Sequence, residues 1–193
     1  MRIITGTGRG YRIETLSGEK TRPTAERVKE GVFSSIQFEI EGRQVLDLFA
    51  GSGQMGLEAL SRGAASCVFI DKDPDAIAVI RRNISGVAKR AENIQKYSQV
   101  FGIDTLSYLA NSEDSFDIVF IDPPYLSNLH TAALEAVEPH MNAGGVIICE
   151  SENDTELAEN IGRFELFRVY SYGRRIRVWL YRFKGEQNEG DGV

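Results

Sequence analysis

From residue 44 onward the chain alternates short apolar runs with longer helix-like stretches. The runs at 44–48, 67–71, 96–101, 116–121 and 145–150 are strand-sized, and the segments 54–62, 74–88, 104–111 and 128–141 between them are helix-sized. Apolar strands separated by helices predict a parallel sheet covered on both faces. The two ends break this rhythm. Residues 2–5 and 10–16 are β-like runs around Gly6-Thr-Gly8-Arg-Gly10, which predicts a hairpin. Pro23 suits the first turn of a helix in which Val28, Val32 and Ile36 recur every fourth residue. A short helix is expected over 154–161, then an antiparallel hairpin of 164–171 and 176–183 joined by Ser171-Tyr-Gly-Arg-Arg175. Residues 185–193 carry no apolar anchor and are expected to form a disordered tail. The expected division is therefore an extension over 1–38, an α/β domain over 39–184, and the tail.

With 193 residues, 42% of them apolar and 26% charged, the chain has material for one sizeable core. No apolar run approaches membrane-spanning length, and MRIITGTGRG lacks the apolar centre of a signal peptide, so a soluble cytoplasmic protein is expected. Cys67 and Cys149 each lie in a β-rich apolar run and read as buried free thiols. His130 and His140 have no ligand-spaced partners and read as solvated or capping residues, so no metal is expected.

The net charge of −6 is unevenly spread. Residues 1–29 hold seven basic side chains against three glutamates, and residues 163–184 hold seven against Glu165 alone. An acidic middle between two basic ends can fold into an acidic body with one basic face, which suits a nucleic-acid partner despite the acidic total. Arginines decorating solvated strands would give the same composition.

The run Val45-Leu-Asp47-Leu-Phe49-Ala-Gly51-Ser-Gly53-Gln-Met-Gly56 follows a strand and opens a helix, the arrangement that lets a ligand approach the backbone closely. Its glycines match the dinucleotide fingerprint, and Asp71 follows Gly51 by 20 residues, where a ribose-binding carboxylate belongs. Asp47 separates the cofactor classes, because a carboxylate at the loop would repel a pyrophosphate and favour a cationic, phosphate-free ligand such as S-adenosylmethionine. Capping of the following helices is the alternative use of Asp47 and Asp71, and of Asp104, which otherwise suits an adenine amino group.

The most specific motif is Phe116-Asp-Ile-Val-Phe-Ile-Asp122-Pro123-Pro124-Tyr125, a buried strand followed by an acid, two prolines and an aromatic. The proline pair fixes a rigid loop in the crevice where such sheets bind ligands. An aromatic amino group is a poor nucleophile because its lone pair is delocalised. Acceptors at its hydrogens, supplied by the Asp122 carboxylate and the Pro123 carbonyl, help localise that pair, and Asp122 can also take or relay the departing proton. Tyr125 can stack on the base. An ordinary turn after a strand is the bland alternative.

Asp-x-Phe-x-Gly-x-Gly, an acidic second-strand end and Asp-Pro-Pro-Tyr, in this order, resemble the class I amino-methyltransferases of DNA, RNA and protein. Arg2-Ile-Ile-x-Gly6 and Arg22-Pro23-Thr24-x-x-Arg27-Val28-Lys29-Glu30 with Phe33 are similar to the RsmD family of 16S rRNA guanine-N2 methyltransferases, over residues 1 to about 183. The hairpin tip, Tyr172-Gly-Arg-Arg175, is more basic than the family pattern. The resemblance implies a Rossmann-like sheet of seven strands in the order 3-2-1-4-5-7-6, with strand seven antiparallel and a small amino-terminal hairpin and helix in front. It implies S-adenosylmethionine over Asp47, Phe49, Gly51, Gly53, Asp71 and Asp104, and catalysis by Asp122, Pro123 and Tyr125. Arg9, Arg12, Arg22, Arg27, Arg174 and Arg175 would meet phosphates of small-subunit rRNA, within an assembled or assembling subunit, and the enzyme would be a monomer without membrane contacts. Arg22 and Thr24 could alternatively hold the cofactor carboxylate. Methylation of adenine N6 or of a protein glutamine, and a non-catalytic RNA-binding role, remain the competing readings.

Overall fold

The computed structural model describes residues 1–16, 23–91, 93–124 and 129–185. Its strands are β1 (Gln44–Leu48), β2 (Ser66–Asp71), β3 (Ser98–Gly102), β4 (Phe116–Ile121), β5 (Met141–Glu152), β6 (Asn160–Ile161), β7 (Phe164–Tyr172) and β8 (Ile176–Phe183). Its helices are α1 (Pro23–Ser35), α2 (Gln54–Ser61), α3 (Pro74–Ala88), α4 (Asn93–Lys96), α5 (Thr105–Asn111) and α6 (Leu129–Val137), the last continued by a 3-10 turn over Glu138–His140. One sheet runs β3-β2-β1-β4-β5-β8-β7-β6. β1 to β5 are parallel, β8 is antiparallel to β5, and β7 is antiparallel to β8. This is the expected Rossmann-like α/β arrangement, with β7 and β8 as its strands six and seven.

Alternation within the strands builds two cores. Val45 of β1 faces the layer of α1, α2 and α3, with Val28, Phe33, Leu57 and Ile84, whereas Leu46 and Leu48 face α5 and α6, with Tyr108, Leu109, Leu134 and Val137. Both cysteines are buried and free.

The sheet has eight strands where seven were expected, because the helix expected over 154–161 does not form. Tertiary hydrogen bonds claim that segment instead. Arg177 donates to the Asn153 amide oxygen, the Thr155 carbonyl and Glu156, while the Tyr181 hydroxyl donates to the Ala158 carbonyl. Asn160–Ile161 then pairs with β7 across a tight turn in which Gly162 adopts φ 52°. The third strand starts two residues later than expected, since α4 takes up Asn93–Lys96.

The amino-terminal hairpin is reduced to one antiparallel bridge, Arg2 with Arg12, supported by Ile3 N–H to the Tyr11 carbonyl at 3.0 Å and Gly10 N–H to the Ile3 carbonyl at 2.9 Å. Four further backbone N–H groups of this segment turn outward to α2. Glu58 accepts from the N–H of Ile4 at 2.8 Å and of Thr5 at 3.0 Å, and Ser61 accepts from Thr7 N–H through its carbonyl and from Gly8 N–H through its hydroxyl. Gly6 lies so close to the Ser61 carbonyl that a side chain there would collide with it. The extension thus shares the core of the sheet, with Ile3, Ile13, Val28, Val32, Phe33 and Ile36 all buried.

Candidate active site

The carboxyl ends of β1, β2, β4 and β5 open into a cavity of about 810 Å³. This is where open α/β sheets bind ligands, at the point where strand order reverses. The glycine loop forms its floor. Phe49 takes φ 58°, a left-handed conformation that costs a non-glycine residue roughly 1–2 kcal/mol, and its ring lines the cavity. Gly53 adopts φ 73°. Gly56 lets α2 pack onto β2, since a side chain there would collide with Phe69 and Cys67. Asn83 secures the extension over this loop: its amide donates to the carbonyls of Ser52 and Glu14, and its oxygen accepts from Glu14 N–H. Thr15 and Leu16 thereby reach the cavity wall.

The predicted acids are held in different ways. Asp71 ends β2, accepts from Gly51 N–H at 2.8 Å and Asp73 N–H at 2.9 Å, and lines the cavity, leaving further lone pairs for a ligand. Asp104 also lines it while capping α5 through Ser107 N–H at 3.1 Å. Asp47 differs. It is buried beneath the loop, accepts from Gly56 N–H at 2.9 Å, and is not among the lining residues. Burial raises its pKa to about 8 against the lowering effect of the Gly56 hydrogen bond, with Asp122 and Asp71 adding to the rise.

Asp122, Pro123 and Pro124 follow β4 at the cavity wall, and Tyr125 lies outside the described residues. Beside them stands Glu150, which sequence reasoning missed. β4 and β5 pair Ile121 with Cys149, so Asp122 and Glu150 each sit one residue past a registered pair on adjacent parallel strands. Glu150 lines the same cavity, and burial, reinforced by Asp122, raises its pKa to about 9. The signal was available: an acid closing the apolar run Val146-Ile-Ile-Cys149, the pattern that singled out Asp47 and Asp71. Gln54 was missed as well. Its Oε1 is buried at the cavity without a hydrogen-bond partner among the described residues.

The arginines of the basic ends differ in whether they are paired. Arg2, Arg163, Arg177 and Arg182 are paired with Glu26, Glu138, Glu156 and Glu39. Arg9, Arg12, Arg27, Arg174 and Arg175 are exposed and form no ion pair among the described residues, and Arg22 lies outside them. Val28 and Lys29 of α1 and Ile176 and Val178 of β8 bring the two basic segments to one cavity, and Gly31 makes room for the Tyr172 hydroxyl between them. Arg9 and Arg12 ride on the segment packed against α2 and α3. His130 is buried in α6 rather than solvated, while His140 hydrogen-bonds the Asp114 carbonyl.

Residues 1–182 match the family described as "Conserved hypothetical protein 95". A Bacillus subtilis (strain 168) protein named "Putative rRNA methyltransferase YlbH" is 35% identical over 190 residues, covering 96% of this chain and 100% of that one. "Ribosomal RNA small subunit methyltransferase D" of Escherichia coli K12 is 32% identical over 193 residues, covering 99% and 93%. A solved structure titled "Putative methyltransferase yhhF from Escherichia coli" superposes with a TM-score of 0.81 at 29% identity, covering 95% and 97%. The chain belongs to the conserved hypothetical protein 95 family, that of the small-subunit methyltransferase D proteins, and is a methyltransferase of Rossmann-like fold.

Proposed function

We propose that this protein transfers a methyl group from S-adenosylmethionine to the N2 amino group of a guanine in small-subunit rRNA. The observation that carries the reading is one cavity joining the glycine loop and Asp71 to Asp122-Pro123-Pro124, in a chain whose relatives are named for rRNA methylation.

The lining suits that cofactor. Asp71 offers acceptors to ribose hydroxyls, Asp104 to an adenine amino group, and the orphaned Gln54 Oε1 to an ammonium. Phe49, Ala76 and Ile121 supply apolar wall. When bound, the cofactor supplies an electrophilic methyl on a sulfonium. Asp47 supports the loop from below by accepting from Gly56 N–H, and the acids that line the cavity, Asp71, Asp104 and Asp122, favour a cationic occupant. Asp122 and the Pro123 carbonyl accept from the two amino hydrogens of the base, localise the nitrogen lone pair, and Asp122 takes or relays the proton. Tyr125 stacks on the base, and Arg9, Arg12, Arg27, Arg174 and Arg175 meet phosphate oxygens.

The test is single-turnover methyl transfer to small subunits from a strain lacking the enzyme, with the product nucleoside identified by mass spectrometry. Asp122→Ala should lose about a hundredfold in rate, the scale of one catalytic hydrogen bond of about 3 kcal/mol, with cofactor affinity retained. Parent-like turnover by Asp122→Ala would refute the mechanism. N6-methyladenosine as product would refute the substrate.

A further inference from the structure

We propose that Glu150 reads the acceptor base, taking the N1 hydrogen of guanine while Asp122 takes a hydrogen of the neighbouring amino group; the inference rests on the guanine-N2 reading above. The placement is set by the sheet. Asp122 and Glu150 leave adjacent parallel strands one residue beyond the registered pair Ile121 and Cys149, and neighbouring strands lie about 4.8 Å apart. Both line the cavity, and around Glu150 the wall is apolar, formed by Ile148, Ile176 and Val178. The opposing strand contributes Val178 directly across from Glu150 and so offers its carboxyl no polar side chain. No hydrogen bond to that carboxyl is found among the described residues. Tyr172 lies within electrostatic range of Glu150 but forms no hydrogen bond to it among the described residues, so a largely buried acid beside apolar wall and a second acid is costly unless a ligand supplies a donor. Burial and Asp122 together already push it toward the protonated form.

The chemistry of the base supplies that donor. Along its pairing edge guanine presents the O6 acceptor, the N1 hydrogen and the two N2 hydrogens in sequence. Two adjacent acceptors, Glu150 and Asp122, match N1–H and N2–H. If Glu150 is protonated, its second oxygen donates to O6, so guanine satisfies it in either state. Adenine, entering with its N6 amino group at Asp122, would turn the N1 lone pair toward Glu150, which repels an ionised carboxylate and takes only a single hydrogen bond from a protonated one, whereas guanine meets both oxygens of the protonated carboxyl. A site that hydrogen-bonds a substrate N–H rejects analogues lacking it far better than an apolar pocket discriminates by size. Glu150 would thus add to base choice what Asp122 cannot supply, since an acceptor for amino hydrogens serves either purine.

Two variants separate recognition from packing. Glu150→Gln keeps an acceptor in the same place, and Glu150→Met keeps the length but removes it. Each is assayed by single-turnover methyl transfer over a range of subunit concentrations, with product identification, while calorimetry with S-adenosylmethionine confirms that the cofactor site is intact. The parent should yield N2-methylguanosine. Glu150→Gln should stay within about threefold of the parent, and Glu150→Met should lose roughly ten- to a hundredfold in rate over half-saturating concentration, the scale of one hydrogen bond to a charged or strongly polar group. Full activity in Glu150→Met would overturn the proposal in favour of packing. Equal losses in both variants would overturn it in favour of a requirement for charge. A parent that makes no N2-methylguanosine would instead bring down the reading beneath it, whatever the variants do.

Discussion

The buried ion pair that docks the extension should respond unequally to loss of its two partners. Lys29 and Glu58 have side chains 1% and 0% exposed, with Nζ 3.3 Å from Oε2. Glu58 also accepts from Arg62 Nε at 2.9 Å and from the N–H groups of Ile4 and Thr5. Among the described residues, Lys29 Nζ is held by that carboxylate and by the Arg2 carbonyl, to which it donates at 2.6 Å, with Glu26 adding a weaker attraction. Its pKa is already lowered, because burial outweighs the attraction of Glu58.

Glu58→Ala would leave the buried lysine cation without its paired carboxylate and orphan two backbone donors, costing about 3–5 kcal/mol. For a chain of this size that is roughly 6–20 °C in Tm, at about 2–4 °C per kcal/mol. Lys29→Met leaves Glu58 with Arg62 and both N–H groups, so the cost falls to about 1–2 kcal/mol, or roughly 2–8 °C. Thermal and urea unfolding of both single variants and the double variant would measure this, and amide exchange at Ile4 and Thr5 should quicken most in Glu58→Ala. A Lys29→Met loss equal to or larger than that of Glu58→Ala would refute the argument that Arg62 and the backbone, rather than Lys29, carry most of the compensation.

Two further outcomes are expected. Asp47, raised from 3.8 to about 8, binds a proton in the native state that the unfolded chain has released. Its favourable contribution is therefore present below pH about 4 and is lost as pH rises toward about 8. Asp47→Asn should accordingly gain on the parent by on the order of a few kcal/mol between pH 5 and pH 8 in urea unfolding, and a pH-independent difference would contradict the burial account. Charge reversal at Arg9, Arg12, Arg174 and Arg175 should weaken RNA binding and flatten its salt dependence by about one unit of slope for each phosphate no longer neutralised. Unchanged affinity would assign them to ordinary solvated surface.

How much was legible depended on whether local pattern or tertiary contact decided each feature. β1, α3 and β8 agree with their expected bounds because apolar runs, Pro74 behind the capping Asp73 and the Gly173 turn are local signals. The helix expected over 154–161 gives way to carbonyl bonds from Arg177 and Tyr181, residues more than twenty positions away. The amino-terminal strands shrink to a bridge for the same reason, since Glu58 and Ser61 take their N–H groups. At the site, Asp71 and Asp104 are marked by their places after strands, and Asp47 is marked in the same way but lies under the loop. Glu150 carries the same signal and escapes notice because no named motif contains it.

The acidic total and an RNA partner are reconciled by where the charges lie. Asp71, Asp73, Asp104, Asp122 and Glu150 line the cavity against Lys72 and Lys29, and Lys29 is already matched by Glu58. Such an interior repels phosphate and favours a cation-bearing cofactor and the donor-rich edge of a base. Phosphates must then be met outside it, which is where Arg9, Arg12, Arg27, Arg174 and Arg175 are exposed without ion pairs among the described residues. The other arginines of the two basic segments that are paired serve the fold, as with Arg182 on Glu39 and Arg163 on Glu138. The division sorts the proposed substrate by charge: its backbone is attracted to the surface, and only an extruded base, stripped of phosphate, is compatible with the cavity.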